Sequence, residues 1–478
     1  MLIAVVIVFF VLIISAAVYV SRRARKTSDF LIAGRKVNLA MTTATLAVMQ
    51  IGAGIIMGGS KEAADFGIWP GLWYGIGCGG GLILAGLLAA SKLRKSGGFV
   101  PLDFFSTRYG EKRWVRIWGW MSNVPSLFGI FVVQIMAARY ILPVFGIDSE
   151  KSAVIAIIPV GIVTIIYSTL SGMWGIVVVD LIQMAVILIG IPIVTAISFI
   201  KLQNVASLQS VLLTPFIPHG SFSRAVFLIL PFLLSISVSY DAFMRFQAAK
   251  SARTAKLGAV FSGLIVIAVS FCICFVGAAG RKIFPDIQSS LILPHMIKTS
   301  LHPALAGLVV SAILASIMSS AACLALSLAG TCSRDFYNKV LYPGSTLDDL
   351  KYSKLISRIT IVAALVIGFI VAFKAVGILD TMIIFNYPYM GSMLVPLLGG
   401  LLWKRATFKA AKAAIIVGGL IGVLAFLISF VPQQFIETLP QFLKKILNVD
   451  LGLLIAYAVS AVVFISVSLA TQPPSQDS

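Results

Sequence analysis

Residues 2–20 read LIAVVIVFFVLIISAAVYV and contain no charged side chain. A helix of this length covers the ~30 Å hydrocarbon layer of a bilayer. Apolar runs of roughly 20 residues recur from this one to the end of the chain, each long enough for a membrane-spanning helix. Their residues do not alternate between apolar and polar, as the strands of a transmembrane barrel would. The chain is therefore predicted to be a polytopic helical membrane protein.

The composition excludes a water-soluble globular protein. Of the 478 residues, 59% are hydrophobic and 11% are charged, whereas soluble domains are about 25% charged. A net charge of +20 would suggest a nucleic-acid partner in a soluble protein. Here, however, most basic residues lie in bands after every second apolar run, at 22–36, 92–116, 245–256, 334–358 and 404–412. Because basic loops stay on the cytoplasmic side, we interpret the charge as topology and expect no nucleic-acid partner.

The runs and the basic bands together predict about thirteen transmembrane helices in the plasma membrane. An odd number of spans places the N-terminus outside and the polar tail at 472–478 in the cytoplasm. Three longer outer loops, at 201–224, 280–302 and 432–448, contain proline and polar residues, and we expect short surface helices in them. A chain embedded to this extent is predicted to be a transporter, a channel or an intramembrane enzyme.

The second span is interrupted by residues that weaken a helix. It contains Gln50, Gly52 and Gly54 near its middle, and a local unwinding there would free backbone carbonyl oxygens, which are suitable ligands for a hard cation. The alternative is a close helix–helix contact lined by small residues. The pattern favours neither over the other.

The ninth span contains Ser316, Ser319 and Ser320 on one helical face. Serines in membrane helices often donate to the carbonyl one turn earlier, which would make all three structural. Small neutral oxygens without a carboxylate would otherwise suit a weakly held monovalent cation better than a divalent one.

Three further charged residues lie inside predicted spans. Asp180 is a lone carboxylate about one turn into the sixth span, and its burial would require a partner, an ion or a proton unless it lies at the membrane interface. Asp241 and Arg245 lie four residues apart at the inner end of the seventh span, where we expect them to pair.

Four segments resemble the sodium:solute symporter family. They are residues 28–35 (SDFLIAGR), residues 167–174 (YSTLSGMW) with Asp180 and Gln183, residues 245–250 (RFQAAK), and residues 313–320 (ILASIMSS) followed by 333–337 (SRDFY). They occur in the family's order over most of the chain. The family's members carry solutes such as sugars, proline, pantothenate, sialic acid, iodide or choline.

The resemblance implies an all-α LeuT-like fold of the thirteen-helix proline/pantothenate-type branch. Residues 1–37 would form the first helix and its linker, 38–202 and 203–403 two inverted five-helix repeats, and 404–478 two further helices and the tail. The first and sixth core helices would be broken. Alternating access would come from a bundle that rocks against a scaffold around a midplane site.

The resemblance also implies a sodium site. Carried over by position, its ligands are the backbone oxygens of Val48, Ile51 and Ser316 and the hydroxyls of Ser319 and Ser320. Some relatives hold a second sodium with a carboxylate that matches Asp180 and with hydroxyls one turn beyond Ser320. Because Ala322 and Cys323 stand at those later positions, we expect one sodium per cycle and a structural or modulatory role for Asp180.

The solute of such a fold lies between the two broken helices. The residues that the resemblance assigns to it are Gln50, Ala53, Gly54, Gln134, Tyr240, Phe243, Asn386, Tyr387 and Tyr389. No charge is securely placed at the midplane by the sequence, which favours a neutral, zwitterionic or small organic solute. The solute itself is not identified by these residues.

The predicted function is sodium-coupled symport of a small organic solute into the cell, by a monomer or weak oligomer in the lipid bilayer. Alternatives are proton-coupled or exchange transport on the same fold, or a transporter-like membrane sensor. An enzyme is not expected, because His219, His295 and His302 lie in predicted outer loops and no nucleophile–base set or metal motif accompanies them.

Overall fold

A computed structural model of the protein describes residues 1–21, 26–147, 150–372, 378–429, 431 and 449–472. The regular structure of these residues is helical. In chain order, the helices are α1 (Leu2–Ser21), α2 (Thr27–Ile32), α3 (Leu39–Gln50), α4 (Gly54–Phe66), α5 (Ile68–Leu88), α6 (Ala90–Ser96), α7 (Pro101–Tyr109), α8 (Arg113–Tyr140), α9 (Glu150–Gln203), α10 (Gln209–Leu212), α11 (Phe222–Ser235), α12 (Tyr240–Ala248), α13 (Ala252–Ile283), α14 (Ile292–Ser300), α15 (Pro303–Gly330), α16 (Ser353–Ala372), α17 (Ile378–Leu402), α18 (Phe408–Ile428) and α19 (Val449–Ala470). Helix α15 continues into a π-helical segment, Thr331–Leu341.

The helices are long and apolar enough to cross a membrane many times. In the part of the chain that the structure describes, nine meet this criterion singly, and ten when α3 and α4 are counted as one bent span. The prediction of a polytopic all-helical membrane protein is confirmed. The exact number of thirteen spans is not established by this criterion and stays a prediction.

Helix α9 is divided at Gly172, which has φ +54° and ψ −141°. Its φ lies in the region that only glycine adopts without strain. A Cβ atom here would also lie 2.4 Å from the carbonyl oxygen of Phe30. The kink thus divides α9 into a part before Gly172 and a part after it, and it brings the segments at 28–35 and 167–174 into contact.

Two transmembrane elements are broken, as the resemblance implies for the first and sixth core helices. Helices α3 and α4 meet at an angle of 53° across residues 51–53. Helix α11 ends at Ser235 and α12 begins at Tyr240, so residues 236–239 lie outside both helices. The glycines of the first break and the serines of the second weaken a helix for different reasons: glycine is flexible, and serine competes for backbone hydrogen bonds. The prediction of two broken helices is confirmed.

The core helices form two packed groups. Helices α3, α4, α5, α11 and α13 pack on one another, and we call them the bundle, together with α12. Helices α8, α9, α15 and α16 pack on one another, and we call them the scaffold. The broken helices belong to the bundle and face the scaffold through α9 and α15. Helix α1 packs on the scaffold helices α9 and α15, and α17–α19 pack together beside α8.

The predicted surface helices are present where the structure describes the loops. Helix α10 lies in the loop predicted at 201–224, and α14 lies in the loop at 280–302. The third loop, at 432–448, lies outside the described residues.

Candidate functional site

The break between α3 and α4 is held open by two scaffold side chains. In a continuous helix the amide of Ala53 would donate to the carbonyl oxygen of Met49. Instead, Ala53 N donates to Gln134 Oε1 at 2.9 Å, and Met49 O accepts from Ser320 Oγ at 2.8 Å. These two polar groups released by the break are thereby satisfied within the protein, as a buried backbone requires.

Gly52 allows this close approach. A Cβ atom on Gly52 would lie 2.5 Å from Ser320 Oγ and 2.9 Å from Gln134 Oε1. Any larger residue would push these two scaffold side chains away from the break. Of the two interpretations of the glycines in this span, the structure therefore supports both at once: the helix unwinds, and its small residues permit close packing.

The residues assigned to sodium by resemblance are buried at the contact between the break and α15. Val48 and Ile51 lie at the C-terminal end of α3, on either side of Met49 and Gln50, and are fully buried. Ser316 uses its hydroxyl to donate to Ile313 O at 2.8 Å, which leaves its backbone oxygen as the ligand that the resemblance assigns. The hydroxyls of Ser319 and Ser320 donate to neighbouring elements, and Ser319 Oγ also contacts Cys323 Sγ of its own helix at 3.9 Å. The set offers neutral oxygens, which fits a monovalent hard cation.

Asp180 is fully buried next to this set. Its Oδ1 accepts from Ser319 Oγ at 2.5 Å, and its Oδ2 accepts from Thr45 Oγ1 of the bundle. Arg245 Nε donates to Thr45 Oγ1 at 2.9 Å, and its Nη2 contacts Cys323 Sγ. The hydroxyl of Thr45 thus lies between the Arg245 guanidinium and the buried Asp180 carboxylate.

The predicted ion pair between Asp241 and Arg245 is wrong. Arg245 Nη1 donates to the backbone oxygen of Asp241 at 2.9 Å, while Asp241 Oδ1 accepts from the amide of Ala242 at 3.0 Å. The spacing of four residues favoured a pair, but the arginine extends toward Thr45 instead. The Asp241 carboxylate is therefore left to face a cavity.

This cavity lies between the two broken helices and the scaffold, as expected for a solute site. Six of the residues assigned to the solute line it: Gln50, Gly54, Gln134, Tyr240, Asn386 and Tyr389. Ser320 also lines it, so the candidate ion ligands and the candidate solute ligands share one wall. Ala53, Phe243 and Tyr387 are buried in the packed interior and do not line the cavity.

Sequence reasoning missed several polar residues of the lining. They include Tyr74, Asn123, Ser126, Ser235, Ser239, Asp241 and Tyr457. Ser126 Oγ donates to Asn386 Oδ1 at 2.5 Å and so orients that amide. The available signal was the presence of Asn123 and Ser126 in an otherwise apolar span, where polar groups are costly.

Below the cavity, Tyr240 reaches a buried ion-pair network at the end of the molecule that carries the basic loops. Its hydroxyl donates to Asp335 Oδ2 at 2.5 Å, and Asp335 Oδ1 accepts from Arg116 Nη1 at 2.6 Å. Arg116 also bonds to Asp103 at 2.9 Å and to Glu111 at 2.8 Å. The network joins the loop helix α7, the start of α8 and the segment after α15.

The two loop carboxylates of this network are held in the charged form. Burial by itself raises the pKa of Asp103, but the guanidinium groups of Arg334 and Arg116 and the amide of Phe99 outweigh burial and lower that pKa below its usual value. Burial likewise raises the pKa of Glu111, and its bonds to Arg116 outweigh this and lower it. Opposite charges nearby favour the ionised carboxylate.

Comparison with known proteins shows similarity along the whole chain. The family model described as the sodium:solute symporter family matches residues 30–418. The sodium/pantothenate symporter of Escherichia coli (strain K12) is 25% identical over 476 residues, which cover 93% of this chain and 94% of that one. The sodium/proline symporter of Staphylococcus aureus is 22% identical over 482 residues, covering 95% and 91%.

Two solved structures share the fold. A Na⁺-coupled sialic acid symporter in a substrate-bound outward-open state superposes with a TM-score of 0.78 at 18% identity, covering 99% of both chains. The nucleobase-cation-symport-1 family transporter MHP1, in a closed conformation, gives a TM-score of 0.60 at 15% identity, covering 94% of this chain and 96% of that one. The LeuT-like architecture expected from the sequence is confirmed.

Proposed function

The chain belongs to the sodium:solute symporter family, and on that premise we propose that it moves one sodium ion and one small organic solute per cycle through the cavity between its broken helices. It is a sodium-coupled symporter and an integral protein of the plasma membrane, and it is a transporter rather than an enzyme. The alternatives of proton coupling, exchange and sensing are not favoured by these relatives.

The contact between Ser320 and Met49 is the main support for the ion site. It joins a bundle break to a scaffold helix at 2.8 Å, next to the carbonyls of Val48 and Ile51. A cation held by both sides favours the conformation in which the two sides are close, by its difference in affinity for the two states. We assign sodium to the oxygens of Val48, Ile51, Ser316, Ser319 and Ser320.

The surroundings of Asp180 support a single sodium. Both carboxylate oxygens already accept hydrogen bonds from hydroxyls, and the Arg245 guanidinium bonds to one of those hydroxyls. The arginine supplies a positive charge where a second cation would otherwise be needed to offset the buried carboxylate. Asp180 accordingly serves to position Thr45 and Ser319.

The organisation proposed for the whole chain follows the same premise. Residues 38–202 and 203–403 form two inverted repeats, each beginning with a broken helix, and residues 1–37 and 404–478 flank them. The N-terminus lies outside and the C-terminus in the cytoplasm, because the basic loops follow every second span. The protein works in the lipid bilayer as a monomer or weak oligomer.

The solute site is proposed at the cavity lined by Gln50, Gly54, Gln134, Tyr240, Asn386 and Tyr389. Ala53, Phe243 and Tyr387 support these residues from behind the lining. The names of relatives include pantothenate, proline and choline transporters, which are different kinds of molecule and do not select one for this chain. Sodium and the solute bind to the same wall of the cavity, and their binding is therefore coupled. Each raises the protein's affinity for the other by the same factor.

Thermal unfolding of the detergent-purified protein in sodium against equal potassium tests the ion site. A cation bound only by the folded protein raises the free energy of unfolding by roughly 1.4 kcal/mol at ten times its dissociation constant. We expect this stabilisation in sodium and not in potassium. The double variant Ser319→Ala, Ser320→Ala should lose it and should lose sodium-driven uptake in proteoliposomes.

Ser327→Ala is the matched control, because Ser327 lies on the same helix and donates to its own backbone at Cys323 O. It should keep the sodium-specific stabilisation. Sodium-driven uptake with unchanged apparent sodium affinity in the double variant would show that the ion site is misassigned.

A further inference from the structure

The cavity contains one charged side chain among the lining residues that the structure describes. This residue is Asp241, in the first turn of α12. The other polar groups of the lining are neutral amides and hydroxyls, and no lysine, arginine or histidine is among the described lining residues. The charge carried by the described lining is therefore negative.

Asp241 forms no ion pair with another residue in the described part of the chain. Its Oδ1 accepts the amide of Ala242 at 3.0 Å. Arg245, one turn later, directs its guanidinium to the Asp241 backbone oxygen, Thr45 and Cys323. A carboxylate in a partly desolvated cavity is costly unless a cation joins it.

Aromatic rings stand beside this carboxylate. The rings of Tyr240 and Tyr389 are 5.6 Å apart in an edge-to-face arrangement. Their hydroxyls are engaged elsewhere, with Asp335 and with the backbone oxygen of Val238, so each tyrosine offers a solute chiefly its ring. A carboxylate beside aromatic rings is the combination that binds organic ammonium ions, by charge and by cation–π attraction.

Resting on the proposed symport, we propose that the solute carries an ammonium group, which binds between the Asp241 carboxylate and the rings of Tyr240 and Tyr389. The amide of Gln50 then serves the neutral polar part of the solute. A solute whose only charge is negative would face the like charge of Asp241, which disfavours its binding. In place of the neutral, zwitterionic or small organic solute favoured by the sequence, this assignment favours cationic and zwitterionic amines.

Matched pairs of probes test this directly in saturating sodium. Choline and propylammonium are compared with 3,3-dimethylbutan-1-ol and propan-1-ol, which lack the charge, and with propionate, which reverses it. Thermal unfolding of the full-length protein is the readout. We expect at least one ammonium probe to raise the melting temperature and the neutral and anionic probes to leave it unchanged. Stabilisation by a neutral or anionic probe, or by none of the probes, would overturn the proposal.

Asp241→Asn, which keeps the shape and removes the charge, should weaken binding of the ammonium probe by at least ~10-fold. It should retain the sodium-specific stabilisation, which also shows that it folds, and Asp241→Glu should restore part of the affinity. Asp286→Asn, at an exposed loop position, is the control and should bind the probe like the parent protein.

The outcomes separate this proposal from the proposed symport. Loss of the sodium effect in Asp241→Asn with unchanged ammonium affinity would make Asp241 an ion ligand and overturn the ammonium assignment. Ammonium binding that needs Asp241 but is indifferent to sodium would instead support the assignment and count against sodium coupling.

Discussion

The hydroxyl of Tyr240 donates to Asp335 Oδ2 at 2.5 Å and so joins the cavity wall to the buried ion pairs beneath it. Tyr240 begins the bundle helix α12, whereas Asp335 follows the scaffold helix α15. This bond therefore connects the two groups that must separate during alternating access. Opening the end of the protein that carries the basic loops requires this bond to break.

Tyr240→Phe should weaken the closed state of that end. The variant leaves Asp335 its bonds to Arg116 and Thr331, and loss of a hydrogen bond to a charged group costs about 1.5–3 kcal/mol. We expect a lower melting temperature and faster labelling of a cysteine introduced into the cavity from the basic-loop side. Tyr352→Phe, at an exposed position, should change neither, and equal labelling in both variants would contradict the role of this bond.

Gly52→Ala should disrupt the ion site while leaving the remaining fold intact. The added methyl group would lie 2.5 Å from Ser320 Oγ, and overpacking of this kind costs about 1–3 kcal/mol. We expect loss of the sodium-specific stabilisation, measured as the difference in melting temperature between sodium and potassium. Gly161→Ala, where an added Cβ meets no atom within 4 Å, serves as the control. An undiminished sodium effect in Gly52→Ala would place the ion elsewhere.

Asp180→Asn should lower stability or rate without changing the ion-to-solute ratio. The carboxylate accepts two hydroxyl bonds and lies near the Arg245 guanidinium, and a neutral amide weakens these contacts by about 1–3 kcal/mol. The ratio is measured from the reversal potential of solute flux in proteoliposomes. A fall from two sodium ions to one in this variant would show that Asp180 holds an ion after all.

Asp103→Asn should destabilise the basic-loop end in a pH-dependent way. Removing one partner of a buried pair costs about 3–5 kcal/mol. Because the pKa of Asp103 is lowered in the folded protein, its stabilisation is complete above the usual pKa of about 3.9 and is lost as the pH falls through the folded value.

The difference in melting temperature between parent and Asp103→Asn should accordingly stay constant from neutral pH to about pH 4 and shrink at lower pH. Glu111→Gln is the matched comparison, since the Glu111 side chain is 43% exposed and an exposed pair contributes only about 0–1 kcal/mol. A difference that already vanishes near pH 6 would contradict the lowered pKa.

The local pattern of the sequence was enough to locate the first break. It did not identify the side chains of other helices that hold the break open. Gln50, Gly52 and Gly54 weaken the helix by their own chemistry, so a single window of sequence marks the position, although it left unwinding and close helix packing equally open. Gln134, which accepts from Ala53 N, lies on another helix, and no local spacing relates the two positions. The serines show the same limit: Ser316 donates to its own helix while Ser319 and Ser320 donate to other elements, although all three occupy similar apolar surroundings.

Asp241 was misplaced for a related reason. A seventh span taken as continuous puts this residue at the inner end of a helix, where a pair with Arg245 follows from the spacing. Because the chain unwinds at residues 236–239, α12 starts at Tyr240 and Asp241 falls in its first turn, beside the cavity. The break in the sixth core helix had been inferred by resemblance, but its exact residues depend on tertiary contacts.

Helix α1 offers an experimental advantage that follows from where it packs. It lies on α9 and α15, both part of the scaffold, and it presents a lipid-facing side with residues such as Val8 and Tyr19. A probe attached to it would keep a constant distance to the scaffold throughout a transport cycle. The distance from this probe to a second label at Phe66, on the bundle, would therefore change only when the bundle moves against the scaffold.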